Sequence, residues 1–196
     1  AEKIINELGI QIEIYGFTLK DGLQNPVDFR DLPCWWNFGL YPTSTDDLDT
    51  KIKKTTKIIY GDVKDTTKTF FKQYNPAPIG VIFNDLDYFS STLNSFEIFN
   101  SEDHFYLPRI FCYFDDIVGT EKEMFNEFTG ELMAINKFNE NNDQKKICLN
   151  RNLIPNSREN WRYQIYYYHN FKHKNYNDYI GDSAQKQIED ELKLKD

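Results

Sequence analysis

The sequence predicts an α/β domain built on a doubly wound, mostly parallel sheet with an antiparallel strand pair near its carboxyl end. Three observations carry that expectation. Apolar runs of strand length alternate with segments of helical periodicity up to residue 139, the order that yields parallel strands joined by helices. The middle runs, "PIGVIF" and "RIFCYF", are apolar along both faces rather than alternating, as strands covered on both sides are. The last two runs, "KKICLN" and "RYQIYYYHNF", are separated by a turn-rich loop and not by a helix, which lets them pair antiparallel.

The elements follow in order. "EKIINELG" places Ile4, Ile5 and Leu8 on one helical face and closes with Gly9, a frequent residue just past a helix end. "IQIEIYGF" alternates Ile10, Ile12 and Ile14 with Gln11 and Glu13 and reads as a strand. The connection over 18–43 is rich in Pro, Gly, Trp and Asp, and a loop of that length is expected to be a functional insertion. "STDDLDTKIKKT" has hydroxyl caps, acids in its first turn and lysines in its last, a helix by its charge pattern. "KIIYGD" is a strand, "VKDTTKTFFKQY" a short helix and "PIGVIF" a strand. "SSTLNSFEIF" is a helix with Leu93, Phe96 and Phe99 inward, and "RIFCYF" a strand. "TEKEMFNEFTGELMAINKFN" opens with Thr120 and Glu123 at capping-box spacing and repeats Met124, Phe128, Leu132, Ile135 and Phe138, which predicts one long helix. The closing "SAQKQIEDELKLKD", residues 183–196, reads as a solvated terminal helix or a frayed tail.

With 196 residues, of which 40% are hydrophobic and 16% aromatic, the chain can fill one core, so a single domain over 1–196 is expected. A net charge of −8 would repel phosphate backbones and anionic headgroups. Nucleic acid and membrane surfaces are therefore excluded as first partners, and no apolar stretch reaches the roughly 18 residues of a membrane span. Cys34, Cys112 and Cys148 are odd in number, far apart and without CxxC spacing, which argues for reduced thiols rather than a disulfide framework or a zinc knuckle. No basic segment followed by an apolar one marks a signal peptide, so a cytoplasmic location is expected.

The chemistry lies in where the acids fall. In a doubly wound sheet ligands bind where strands end and loops begin. Three strands end in acid here: Asp62 after "KIIYG", Asp85 and Asp87 after "GVIFN", and Asp115 with Asp116 after "RIFCYF". Thirty residues separate Asp85 from Asp115, the length of one strand-helix-strand unit, so these two strand ends should lie side by side, roughly 5 Å apart. Converging carboxylates repel unless protons or a cation offset their charge. An all-carboxylate oxygen set suits Mg²⁺ or a similar hard ion. The competing reading is that Asp87 or Asp116 caps the helix after its strand, but Ser90, Ser91 and Thr120 are better placed for that task.

"APIGVIFNDLDYFSST" followed by "YLPRIFCYFDDIVG" resembles the fourth and fifth strands of class I S-adenosylmethionine-dependent methyltransferases. The likeness is to their metal-dependent O-methyltransferase branch, which includes macrolide sugar and catechol enzymes, and within it to a bacterial group. It extends upstream through "YGFTLKDGLQNPVDFRDLPCWWNFGLY" and "YGDVKDT" and downstream through "GELMAINKFNE" and "YYYHNFKHKNY", covering nearly the whole chain. The resemblance implies a Rossmann-like sheet. It implies that Asp85, Asp115 and Asp116 hold Mg²⁺, that the metal lowers the pKa of acceptor hydroxyls, and that S-adenosylmethionine supplies the methyl group. The reacting end would then carry Asp87, Tyr88 and His169. Tyr88, or one of His169 and His173, would be the base, although a structural place in an aromatic strand is the stronger reading of both histidines. The cofactor side would use Gly16, Phe17, Thr18, Asp21, Gly61 and Asp62.

Two departures from the family pattern stand out. No segment matches the glycine-rich first strand and turn that cradle the cofactor, and the chain opens in the helix that should follow them, so the resemblance implies either that they lie upstream of Ala1, the favoured reading, or that the fold has been rebuilt without them. That strand is central in the family's sheet, and without it the strands of "IQIEIYGF" and "PIGVIF" would each lack a neighbour. Where the family commonly has an acid on the ribose hydroxyls, "YGF" is followed by Thr18, and the nearest acid is Asp21. Asp62 would lie near the adenine or else cap the "VKDTT" helix. In the insertion, Trp35, Trp36, Phe38 and Tyr41 beside Arg30 and Asp31 suit a sugar or ring-bearing acceptor, or else pin the loop to the sheet.

The expected function is thus an Mg²⁺-assisted O-methyltransferase acting on a hydroxylated small molecule such as a sugar, with homo-oligomerisation open. Two alternatives stay beside it. Asp85-Leu86-Asp87 also fits the DxD pair of metal-dependent glycosyltransferases, and a methyltransferase-like domain without activity would serve as a partner surface.

Overall fold

The computed structural model describes residues 2–44, 52, 56–156 and 159–178. The helix expected in "STDDLDTKIKKT" and the tail 183–196 lie outside them. The chain is a mixed α/β fold with two open sheets. Helix α1 (Glu2–Leu8) ends at Gly9, whose φ of +65° is the left-handed turn that glycine takes freely. The Gly9 and Ile10 amides donate back to the Asn6 and Ile5 carbonyls at 3.3 and 3.2 Å, closing the helix in a Schellman motif. The first strand, β1 (Ile14–Thr18), starts later than the alternation of Ile10 and Ile12 suggests, and both of those residues are exposed. Among the described residues it pairs, in parallel, with β2 (Thr56–Tyr60) alone.

Helix α2 (Val63–Tyr74) then leads to β3 (Ile79–Asn84), α3 (Phe89–Ser95) and β4 (Tyr106–Phe114). After these come α4 (Gly130–Asn141), β5 (Lys145–Leu149) and β6 (Ile165–Asn170). The second sheet has the order β3-β4-β6-β5; β3 and β4 are parallel, while β6 runs antiparallel to both β4 and β5. The expected antiparallel pair is therefore present.

Rings fill the core. Phe99 stacks on Tyr168 at 3.9 Å, Phe96 packs on Phe138 at 5.3 Å, and Phe114 meets Tyr166 at 5.3 Å. Helix α2 ties the two sheets together. Its Phe70 packs edge-on to Tyr15 and Phe17 of β1 at 4.9 and 5.3 Å, and its Phe71 meets Tyr106 of β4 at 5.6 Å.

Two expectations fail for physical reasons. Among the described residues the four-stranded sheet is fully covered on one face: Ile110, Cys112, Phe114, Ile147, Tyr166 and Tyr168 are buried, while Val81, Phe83 and Phe111 on the opposite face are exposed. Runs apolar at every position do not say whether the second face has a cover. The long helix expected from Thr120 begins only at Gly130. Glu123 does reach the Thr120 amide as a capping box would, but the contact closes a turn. Met124 takes a left-handed φ of +51°, Gly130 takes one of +56°, and Met124 and Phe128 are exposed. Of the apolar repeat only Leu132, Ile135 and Phe138 reach the core, where Ala134 joins them. No helix among the described residues is long and apolar enough to cross a membrane.

Candidate metal centre

The ends of β3 and β4 are locked side by side. Their register carries Asn84 opposite Phe114, and the Asp115 amide continues it by donating to the Asn84 carbonyl at 3.1 Å. Gln164, entering β6, donates to the Asp115 carbonyl at 2.8 Å. Asp85 and Asp115 are each the first residue beyond a strand, so the parallel pairing delivers both to one edge. One ligand oxygen from each of Asp85, Asp115 and Asp116 falls within 4.8 Å of the others. Asp85 is exposed and Asp116 buried, so the group spans the boundary between solvent and core.

Neither Asp87 nor Asp116 is a helix cap. Asp116 accepts from the Asp87 amide at 3.1 Å, its own amide donates to Glu131 Oε2 at 2.9 Å, and α3 has Tyr88 at its N-cap with no side-chain bond. The first turn of α3 is instead capped from the insertion. Asp31, wholly buried, accepts from the Ser90 amide at 2.8 Å, the Ser90 hydroxyl at 2.9 Å and the Val27 amide at 2.7 Å. Asp87 sits in a tight turn between Leu86 and Tyr88 with a φ of +57°. A non-glycine residue held there is strained, and such strain persists where the surroundings fix the geometry.

Burial and mutual repulsion raise the acids. Burial, then Asp115, raises Asp85 above its usual value. Burial, then Asp85 and Asp115, pushes Asp87 up to about 6, and burial, then Asp87 and Asp85, pushes Asp116 up to about 7. Glu131, on α4, is wholly buried behind Asp116 and raised well above the usual range by burial and then by the Asp116 charge. Its Oε1 makes no full hydrogen bond, although the Leu86 amide faces the carboxylate. Gly130, at the start of α4, packs against this corner: its α-carbon region faces the Asp87 and Asp116 carbonyls at ordinary contact distance, and its φ of +56° is what favours glycine there. Five carboxyls thus crowd one corner of the fold, and no salt bridge among the described residues involves any of them.

The other expected site residues are placed as follows. Tyr88 is buried against Leu32 and Trp36; its hydroxyl donates to the Gln24 carbonyl at 3.0 Å, and burial pushes its pKa up to about 12. His169 lies across from Arg109 on β6, six residues before Asp115, or roughly 20 Å along an extended strand. It is therefore remote from the acids. His173 is a structural residue, its Nε2 bonded to the Asp103 carbonyl and its Nδ1 to the Asn175 amide, both at 3.1 Å.

Gly16, Phe17 and Thr18 lie on β1, where Gly16 allows Ile58 to close in and Phe17 packs on Phe70. The Thr18 hydroxyl meets that of Thr43 at 3.0 Å, and Asp21 is exposed. Gly61, at φ +141°, donates from its amide to the Thr18 carbonyl at 3.0 Å, which brings the ends of β1 and β2 together. Asp62 caps α2, accepting from the Lys64 amide at 2.9 Å. In the insertion, Trp36 is buried and pins the loop, whereas Trp35, Phe38 and Tyr41 are exposed. Both readings of those rings therefore have a basis. Arg30 is held in an ion pair with Asp28 at 2.7 Å and lies over the Phe89 ring at 4.3 Å.

Glu131 was not among the expected residues, although it shares the spacing of the buried stripe Ala134, Ile135 and Phe138. An acid on an apolar stripe is the signal that could have found it. Comparison with protein-family models, with curated proteins and with solved structures finds no match to this chain.

Proposed function

We propose that the chain is an Mg²⁺-assisted O-methyltransferase domain acting on a hydroxylated small molecule, with S-adenosylmethionine as methyl donor. The observation that carries the proposal is the meeting of Asp85, Asp115 and Asp116 within 4.8 Å at the ends of two paired parallel strands. The residues fit the ion. All donors are hard carboxylate oxygens, they sit at an edge open to solvent on the Asp85 side, and the raised pKa values of Asp85 and Asp116 report a charge that nothing else among the described residues offsets. Mg²⁺, when bound, supplies Lewis acidity that favours the ionised form of a hydroxyl. Asp87 stands beside the three acids as a carboxylate placed to take a proton; its pKa of about 6 belongs to the chain without the ion, whose charge would lower it. The exposed Trp35, Phe38 and Tyr41 on the insertion provide ring faces for a sugar-like acceptor.

The fit to S-adenosylmethionine is partial, and no step is derived through it. The ends of β1 and β2 gather Thr18, Gly61 and Asp62, but Thr18 and Asp62 already have partners within the fold. The strand order supports the reading in another way. A Rossmann-like sheet of this family, with its central strand set aside, leaves free one edge of each flanking strand. Among the described residues β1 pairs only with β2, and β3 only with β4. The DxD reading has less support, because the acids that approach Asp85 come from β4 rather than from Asp87.

Thermal unfolding tests the proposal. Mg²⁺ should raise the melting temperature, by an amount corresponding to about 2.7 kcal/mol at a hundredfold excess over Kd, and S-adenosylhomocysteine should add to it. Absence of any shift with divalent cations would overturn the metal site. Stabilisation by a nucleoside diphosphate with Mn²⁺, and not by S-adenosylhomocysteine, would move the chain to the glycosyltransferases. A response to neither nucleotide would leave a binding domain.

A further inference from the structure

The uncovered face of the four-stranded sheet holds a second group of chemically active side chains, remote from the acids. In antiparallel pairing Lys146 lies opposite His169 and Cys148 opposite Tyr167, so Cys148 and His169 are diagonal neighbours on one face, within reach of each other. Cys148 Sγ lies 3.4 Å from His169 Nε2. The other ring nitrogen, Nδ1, meets the Tyr176 hydroxyl at 2.8 Å. Tyr176 is itself held: Arg109 donates to its carbonyl at 2.8 Å and lies over its ring at 4.1 Å. The imidazole also stacks on Phe171, with 15° between the planes. A thiol on an imidazole whose far nitrogen is fixed by a third group is the arrangement that makes a nucleophile.

The geometry points to Cys148 as a nucleophilic thiol, with His169 as its base, that exchanges with small disulfides of the glutathione type. The step balances. Cys148 passes its proton to His169 Nε2 as its sulfur attacks one sulfur of the disulfide; that S–S bond breaks and a mixed disulfide forms on Cys148. The departing thiolate takes the proton from His169. One sulfur is oxidised and one reduced.

The thiol is accessible, since Cys148 is exposed on β5, an edge strand of its sheet. Burial, then Arg109, lowers the His169 pKa, while burial raises Cys148 against a smaller opposing pull from Arg151. At neutral pH the resting pair is therefore a thiol beside a free base, and the thiolate that attacks forms only as the proton passes to His169 Nε2. Cys112 cannot resolve the mixed disulfide, because it is buried on the covered face. The product should persist as a modified Cys148.

The chain carries its own controls: among the described residues the thiol bonded to a histidine is Cys148 and not the exposed Cys34, and Cys112 is shielded. The full chain is mixed with oxidised glutathione at neutral pH, and the three thiols are followed separately by peptide mass spectrometry. Cys148 should react at least about tenfold faster than Cys34. His169→Gln should bring it to within about twofold of Cys34, and imidazole added to His169→Ala should restore rate at Cys148 but not at Cys34. A wild-type Cys148 no faster than Cys34 overturns the inference without any variant, and so does a His169→Gln rate equal to wild type while Cys112 stays shielded. If a variant unfolds, Cys112 becomes reactive, and the wild-type ratio then decides.

Discussion

The loop leaving β2 and the loops leaving β3 and β4 start alike, with an aspartate one or two residues past the strand, yet the acids have different fates. Asp62 bonds to the Lys64 amide and caps α2. The first turn of α3 is capped by Asp31 from the insertion, and α4 has Thr129 at its N-cap without a side-chain bond. Asp85, Asp115 and Asp116 are consequently free of the capping task and crowd together instead. An acid after a strand is thus informative only when the capping role is filled elsewhere. Here a residue 59 positions away fills it.

The sharpest break of this contrast is Asp115→Ala. It removes a donor from the solvent-facing edge of the trio, and the affinity for Mg²⁺ should fall by about a hundredfold or more. Titration calorimetry measures this, and an unchanged affinity would remove the metal role from β4. The pH dependence sharpens the contrast further. In the folded chain Asp87 and Asp116 bind protons up to about 6 and 7, whereas their ordinary value is 3.8. The folded state therefore holds more protons across that window. Its stability is fullest below pH ~4 and falls as the pH rises toward 7. Saturating Mg²⁺ should flatten the decline, since the ion offsets the charge that protons otherwise remove. A melting temperature that rises from pH 5 to 7 without metal would contradict the crowding.

Asp31→Ala comes next. Three donors lose their acceptor at a wholly buried position, at about 3 kcal/mol or more in total when each stranded donor costs about 1–3 kcal/mol. Denaturant unfolding should show the loss as a lower midpoint.

How far the sequence spoke depended on the distance over which each signal acts. The bounds of α2, the β3 and β4 strands and the turn at Gly9 were legible because their causes are local: a cap, an apolar run, a left-handed glycine. The meeting of Asp85 with Asp115 was legible because a strand-helix-strand unit has a characteristic length. The upstream half of the 120–139 helix was misread, since Met124 and Phe128 fit the period but have no core to face. The bare outer face of the sheet was hidden for the same reason. Phe83, 71% exposed, and Ile110, fully buried, read alike in a sequence window. Asp31 had no local signal as a cap, because its partner is on another element.

The smallest expected effect is the one that separates the two kinds of acid. Asp62→Ala deletes one N-cap bond and should cost about 1 kcal/mol, with the affinity for Mg²⁺ unchanged. Asp115→Ala should do the reverse, since its carboxylate accepts from the Tyr113 hydroxyl and from the Gln164 side chain at long range and closes no helix. If Asp62→Ala weakened cation binding as well, the β2 end would have to lie within the charge field of the trio. The distinction between a capping and a ligating aspartate would then fail for this fold.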